Sequence, residues 1–264
     1  MKTIINYDRY PIADQDARAV IVTRARQQLA DSGSASFPEF VHPDALQNMI
    51  EEGLAKHTLA YRRNQQLTIN GKGAPGMTSG AEGTQRTSAY RMWVLGSDLL
   101  SPEGAIRRLY SSDDMRNLVR EAVEVSALFA VADPLIDVNL TYMGDGDQHG
   151  WHFDDNEFVV SLILQLPESG GAFEYAPGAS SLDSAQIEDI LNGRSGLTRT
   201  QMVAPGTLLV FRGSRALHRV APIQGDKRRI IALLSYHTEP GFIYPPLVKH
   251  NSLGRSMSIH EPVY

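Results

Sequence analysis

The triplet His152-Phe153-Asp154 and the distant His218, in Leu217-His218-Arg219-Val220-Ala221-Pro222, are the residues best suited to chemistry. Residues two apart on a strand point to the same face, so His152 and Asp154 can reach one ion together. His218 must come from another strand adjacent in space. Two imidazoles and one carboxylate bind one face of Fe(II) and leave three octahedral positions open. A bidentate 2-oxo acid can take two of these and dioxygen the third. The chain has no cysteine, so any transition-metal site must use His and carboxylates, and no disulfide can form.

The composition sets the class. Of 264 residues, 42% are hydrophobic and 21% charged, ordinary values for a soluble globular protein. The 25 basic and 30 acidic residues leave a net charge of −5, with no basic stripe for nucleic acid. No apolar run has the length of a membrane span. The start, Met1-Lys2-Thr3-Ile4-Ile5, lacks an apolar signal core. A cytoplasmic protein acting on a small molecule is expected, with neither nucleic acid nor membrane as partner and a homodimer left open.

The elements that must position these residues change character near residue 135. Before it, apolar residues recur at helical spacing. Ala17, Val20, Ile21, Ala25 and Leu29 mark one helix, and a second starts at His42-Pro43-Asp44 and runs through Met49 to Leu59. Two more are expected over 102–110 and 113–130. Residues 66–90, with Gly71, Gly73, Gly76, Gly80 and Gly83, read as a long loop and a candidate lid. After 135 come short apolar runs broken by Gly, Pro and Asp: strands at 136–143, 158–166, 171–176, 200–204, 207–212, 216–221 and 229–237. A helix at 181–193 interrupts them. The expected fold class is α+β, with helices packed on one face of an antiparallel sheet in one domain spanning 1–264. Its parts are a mainly helical 1–134, a strand-rich core at 135–240 and a C-terminal extension at 241–264.

The segments Val138-Asn139-Leu140-Thr141-Tyr142, Gly144-Asp145-Gly146, Trp151-His152-Phe153-Asp154, Gly170-Gly171-Ala172-Phe173 and Leu217 to Pro222 resemble the iron-binding region of the Fe(II)/2-oxoglutarate-dependent dioxygenases. The resemblance covers roughly 136–237. It implies a double-stranded β-helix, or jelly roll, with His152, Asp154 and His218 as ligands at one open end. The run His149-Gly150-Trp151-His152-Phe153-Asp154-Asp155 is similar to a branch acting on free amino acids, which contains radical halogenases of lysine and related hydroxylases. The halogenases carry a small residue, typically Gly, where the carboxylate ligand otherwise stands. Asp154 departs from that pattern, so the resemblance implies hydroxylation, with Fe(II) as cofactor and 2-oxoglutarate and O2 as co-substrates.

2-Oxoglutarate has a distal carboxylate that suits the fork of an arginine. Arg228 and Arg229 are neighbours and point to opposite faces of a strand. The Arg228 face continues as Ile230, Ala232, Leu234 and Tyr236, which reads as packing against helices. The Arg229 face continues as Ile231, Leu233, Ser235 and His237 and turns polar, which favours Arg229 as the anchor. Tyr142 is a further candidate for the same carboxylate, as the resemblance suggests. A zwitterionic substrate needs both signs of charge in its pocket. The substrate expected is a free, basic amino acid or a similar small molecule, with Asp155 the first candidate for an ammonium, that of a basic side chain, and His149 a candidate for a carboxylate. Trp151 is a candidate wall, Arg86 and Arg91 candidate clamps, and His237 a further contact. A protein or peptide side-chain hydroxylase, a jelly-roll metal-binding protein without oxygen activation, and an oxygenase that desaturates or cyclises are the rival readings.

Overall fold

The structure is a computed structural model that describes residues 4–69 and 87–258. Its strands, in chain order, are β1 (Ser34–Phe37), β2 (Tyr61–Thr68), β3 (Thr87–Leu95), β4 (Phe129–Ala130), β5 (Val138–Met143), β6 (Gln148–His152), β7 (Val159–Gln165) and β8 (Ser169–Gly170). They continue with β9 (Phe173–Ala176), β10 (Arg199–Gln201), β11 (Leu208–Phe211), β12 (Leu217–Val220), β13 (Ile223–Gln224), β14 (Arg229–Leu234) and β15 (Tyr236–His237). The helices are α1 (Gln15–Ser32), α2 (Pro43–Lys56), α3 (Ala105–Tyr110), α4 (Asp113–Ala122), α5 (Ser184–Leu191) and α6 (Pro246–Leu253).

The main sheet runs β1-β11-β7-β14-β5-β3-β6-β12-β9-β10, with antiparallel neighbours throughout, and curls on itself as a jelly roll. Strand β3 joins the two halves. It pairs with β5 through Trp93–Leu95 and with β6 through Tyr90 and Arg91.

Alternation divides each strand between two environments. On β5 and β14, Val138, Leu140, Tyr142, Ile230, Ala232 and Leu234 face the helices and form one apolar core with Leu29, Met49, Leu109 and Leu118. The other face lines the barrel interior. Asp14 caps α1 by accepting from the Ala17 N–H at 2.8 Å, and Ser112 caps α4.

Three expectations are corrected. The strand-rich core is not confined to 135–240, because β1, β2 and β3 belong to the same sheet. Residues 66–68 and 87–90, expected in a loop, lie in the β2–β3 pairing, whose register runs Tyr61↔Val94 to Thr68↔Thr87. The glycine-rich centre and the expected lid lie largely outside the described residues. On α1 the buried face is Val22, Ala25 and Leu29, while Val20 is 65% exposed.

The C-terminal segment is held down by a buried ion pair. Lys249 on α6 lies 3.2 Å from Asp133, which also accepts from the Tyr244 and Leu135 N–H groups. Among the described residues, no helix is long and apolar enough to cross a membrane.

Candidate metal centre

His152 ends β6 and His218 is the second residue of β12, and the two strands pair with these residues in register. Both imidazoles are buried. Asp154 follows two residues after His152, beyond the strand end. Its Oδ1 lies 3.4 Å from His152 Nε2 and its Oδ2 3.2 Å from His218 Nε2. One ligand atom from each residue falls within 4.8 Å of the others, so one ion can be reached by all three.

The ring orientations fit this use. A carbonyl oxygen can only accept, so His152 Nδ1 donates to Gly150 O at 2.8 Å and His218 Nδ1 donates to Ala216 O at 2.9 Å. Both Nε2 lone pairs are thereby left for a metal, the usual supporting arrangement for ligating histidines. Burial pulls the Asp154 carboxyl up, but His218 and His152 outweigh it and hold the group well below the usual carboxylate range. Asp154 is therefore anionic, as a ligand must be.

Gly213 completes the carboxylate's seat. Its carbonyl accepts from the Asp154 N–H at 3.2 Å, and a Cβ at position 213 would overlap the Asp154 side chain. The sequence alone does not mark this residue; its only signal is a glycine five residues before His218.

A cavity of about 620 Å³ opens from this triad into the barrel, a volume typical of small-molecule sites. Arg229 lines it. The residue is 4% exposed, its Nε has no hydrogen-bond partner, and burial pushes its guanidinium down to about 10, still cationic at neutral pH. Arg228 is exposed at the strand's edge and does not line the cavity. Tyr142 does not either. It lies on the helix side of β5 and donates to the Gly53 carbonyl at 2.8 Å, so the expected contact with a co-substrate carboxylate is corrected. Thr141, on the interior face and paired with Ile231, lies beside the Arg229 row instead.

His149 and Asp155 line the cavity beside His152 and Asp154, and His237 lines the same cavity with its ring stacked on Phe242. His149 stacks on His152 with ring centroids 3.8 Å apart, and its buried Nε2 has no partner. Trp151 points the other way. It packs with Ile187, Ile190 and Leu217 under α5, beneath the Arg219 guanidinium, so it is not a pocket wall. Arg91 pairs with Gln148 and does not line the cavity, whereas its neighbour Met92 does. Arg86 lies outside the described residues.

The structure adds a cation that sequence reasoning missed. Arg63 on β2 pairs with Met92, shares its interior face and lines the cavity next to His149. It sits 4.7 Å over the Tyr90 ring, Tyr90 meets His149 edge-on at 4.4 Å, and His149 stacks on His152. A smaller adjoining cavity, lined by Arg63, Tyr90, His149, Asp155 and Asn251, meets the first at His152 and Asp154. Among the described residues lining the larger cavity, the carboxylates are Asp154 and Asp155 alone.

No curated protein matches the chain in sequence. Solved structures match the fold at low identity. A 2OG-Fe(II) oxygenase-family oxidoreductase from Burkholderia pseudomallei is 15% identical with a TM-score of 0.55, over 84% of this chain and 92% of its own. The non-heme alpha ketoglutarate dependent epimerase SnoN from nogalamycin biosynthesis is 13% identical with a TM-score of 0.59, over 83% of each chain. A Pseudomonas putida prolyl-4-hydroxylase is 14% identical with a TM-score of 0.52, over 81% of this chain and 97% of its own. The family model described as Halogenase D matches residues 17–245, which span both the interior strands and the helices packed outside them. The chain therefore belongs to the Halogenase D family, within the Fe(II)/2-oxoglutarate oxygenase superfamily.

Proposed function

We propose that this protein hydroxylates an unactivated C–H bond of a free amino acid, with Fe(II), 2-oxoglutarate and O2 as cofactor and co-substrates. The observation that carries the reading is the pairing of a complete His152, Asp154 and His218 ligand set with a buried arginine whose Nε has no partner. A buried cation is costly unless something anionic meets it. The distal carboxylate of 2-oxoglutarate is such a partner, and Thr141 stands beside it as a hydroxyl donor. Two similar structures carry related molecules: SnoN in complex with Fe3+ and alpha ketoglutarate, and Streptomyces hygroscopicus HygX with nickel and 2-oxoglutarate.

When bound, iron and 2-oxoglutarate supply the oxidant, with succinate and carbon dioxide as co-products. The protein's residues do the rest. His152, Asp154 and His218 would hold the ion. Arg229 fixes the co-substrate along the interior. Arg63 and His149 offer donors for a substrate carboxylate, and Asp155 an acceptor for its ammonium. The apolar walls exclude water around the reacting carbon.

Asp154 decides between outcomes within the family. A carboxylate in the third ligand position leaves no place there for a halide, which supports hydroxylation over halogenation. The test is incubation with a panel of amino acids, 2-oxoglutarate and Fe(II) in air. One substrate should yield a product with one added oxygen and stoichiometric succinate. Succinate formation that no amino acid stimulates, with no oxidised product, contradicts the reading.

A further inference from the structure

The position of His152, Asp154 and His218 along the barrel bears on where a substrate side chain would go. Strand β14 runs from Arg229, paired with Met143, to Leu234, paired with Val138. At the rise of a strand those ends are roughly 17 Å apart. Strand β7 begins at Val159, just after the Asp154 segment, and its Val160 pairs with Leu234. The metal-binding segment thus shares one end of the barrel with Leu233 and Leu234, and Arg229 lies toward the other. A co-substrate anchored on Arg229 would fill the interior between that residue and His152, Asp154 and His218. The primary substrate is left with the end beyond those three residues.

That end is built mainly from apolar groups. Ile136, Leu233, Phe242, Tyr244 and Val248 line it, and its polar members include Asn139, Ser235 and His237, with no described carboxylate among them. Both charged candidates for the substrate's own α-groups, Arg63 and Asp155, also line the adjoining cavity with His149, on the β2 side of the metal. The α6 helix, held by the Asp133–Lys249 pair, forms a wall common to both spaces through Leu247, Val248 and Ser252.

We propose that this chamber selects an amino acid with an apolar, aliphatic side chain, whose carboxylate meets Arg63 and whose ammonium meets Asp155. The proposal rests on the functional reading above and names the substrate class for that site. A lysine side chain would carry its ammonium into the Ile136–Leu233–Phe242 chamber, where no described carboxylate awaits it. Burying that charge unpaired is unfavourable. Norleucine, which is lysine without the ε-amino group, would fill the same space with a methyl.

Norleucine and lysine are therefore the matched probes. Under anaerobic conditions, each is titrated into protein loaded with Fe(II) and 2-oxoglutarate, and the visible band of the chelate is followed. The expected result is a spectral shift with norleucine at a concentration at least about tenfold lower than with lysine, since a tenfold preference is a modest step for one misplaced polar group. In Leu233→Glu the order should reverse, with the unperturbed chelate band showing that the variant retains its site. Equal or tighter response to lysine in the wild-type protein overturns the proposal. So does a chelate band that neither amino acid perturbs. Absence of the band itself overturns the underlying metal-site reading and is distinguished from both.

Discussion

His152 Nε2 lies 3.4 Å from Asp154 Oδ1, a separation that suits two ligands sharing one ion, with the His152 ring turned by its Nδ1 bond to Gly150 O. The position of Asp154 in that pair determines what the centre can do. In Asp154→Gly, iron affinity should fall by at least about tenfold, because even supporting residues of metal ligands cost that much. Hydroxylated product should vanish, and with chloride present any residual turnover should give a chlorinated product. Product analysis by mass decides it; hydroxylation at the wild-type rate contradicts Asp154 as a ligand.

Gly213 gives a second, independent route to the same ligand. It is not among the glycines with positive φ, so Gly213→Ala suits the backbone and acts through the overlap of its Cβ with the Asp154 side chain. The variant should fold normally by circular dichroism yet bind iron more weakly than wild type. Unchanged affinity would show that Asp154 can relocate without cost.

Arg229 and Arg228 separate by one residue and by environment. Loss of a hydrogen bond to a charged group costs about 1.5–3 kcal/mol. Arg229→Ala should therefore weaken 2-oxoglutarate binding about 10- to 100-fold while leaving iron binding in place. Arg228→Ala should change it less than about twofold. Titration of each iron-loaded variant with 2-oxoglutarate checks this, and the opposite ranking contradicts the assignment of the anchor.

Tyr142 should behave as a packing residue. Tyr142→Phe leaves the buried Gly53 carbonyl without its donor, which costs about 1–3 kcal/mol of stability. Denaturant unfolding should register that loss while affinity for 2-oxoglutarate stays at the wild-type value. Weakened co-substrate binding at unchanged stability would return Tyr142 to the site.

What the sequence made legible follows strand alternation. The spacing of His152 and Asp154, the distant His218 and the parity of Arg229 all depend on which face a residue occupies, and a one-residue step reverses the face. The same rule, carried across to β5 and β6, places Tyr142 with Ile230 against the helices and Trp151 opposite His152. Those two assignments came from resemblance and proximity instead, and both point away from the cavity. Arg63 was hidden for a different reason. Strand β2, Tyr61-Arg62-Arg63-Asn64-Gln65-Gln66-Leu67-Thr68, lacks apolar alternation: its inward face carries a cation, and its outward Arg62 holds buried Asp147 at 2.7 Å. Gly213 leaves no pattern, because its role is a close contact made only on folding.

The most direct test of the metal centre is anaerobic addition of Fe(II) and 2-oxoglutarate to the purified protein, followed in the visible region. The expected result is the weak charge-transfer band of the bound chelate, lost in His218→Ala. Iron bound stoichiometrically to the wild-type protein with no such band at saturating 2-oxoglutarate would contradict the central claim.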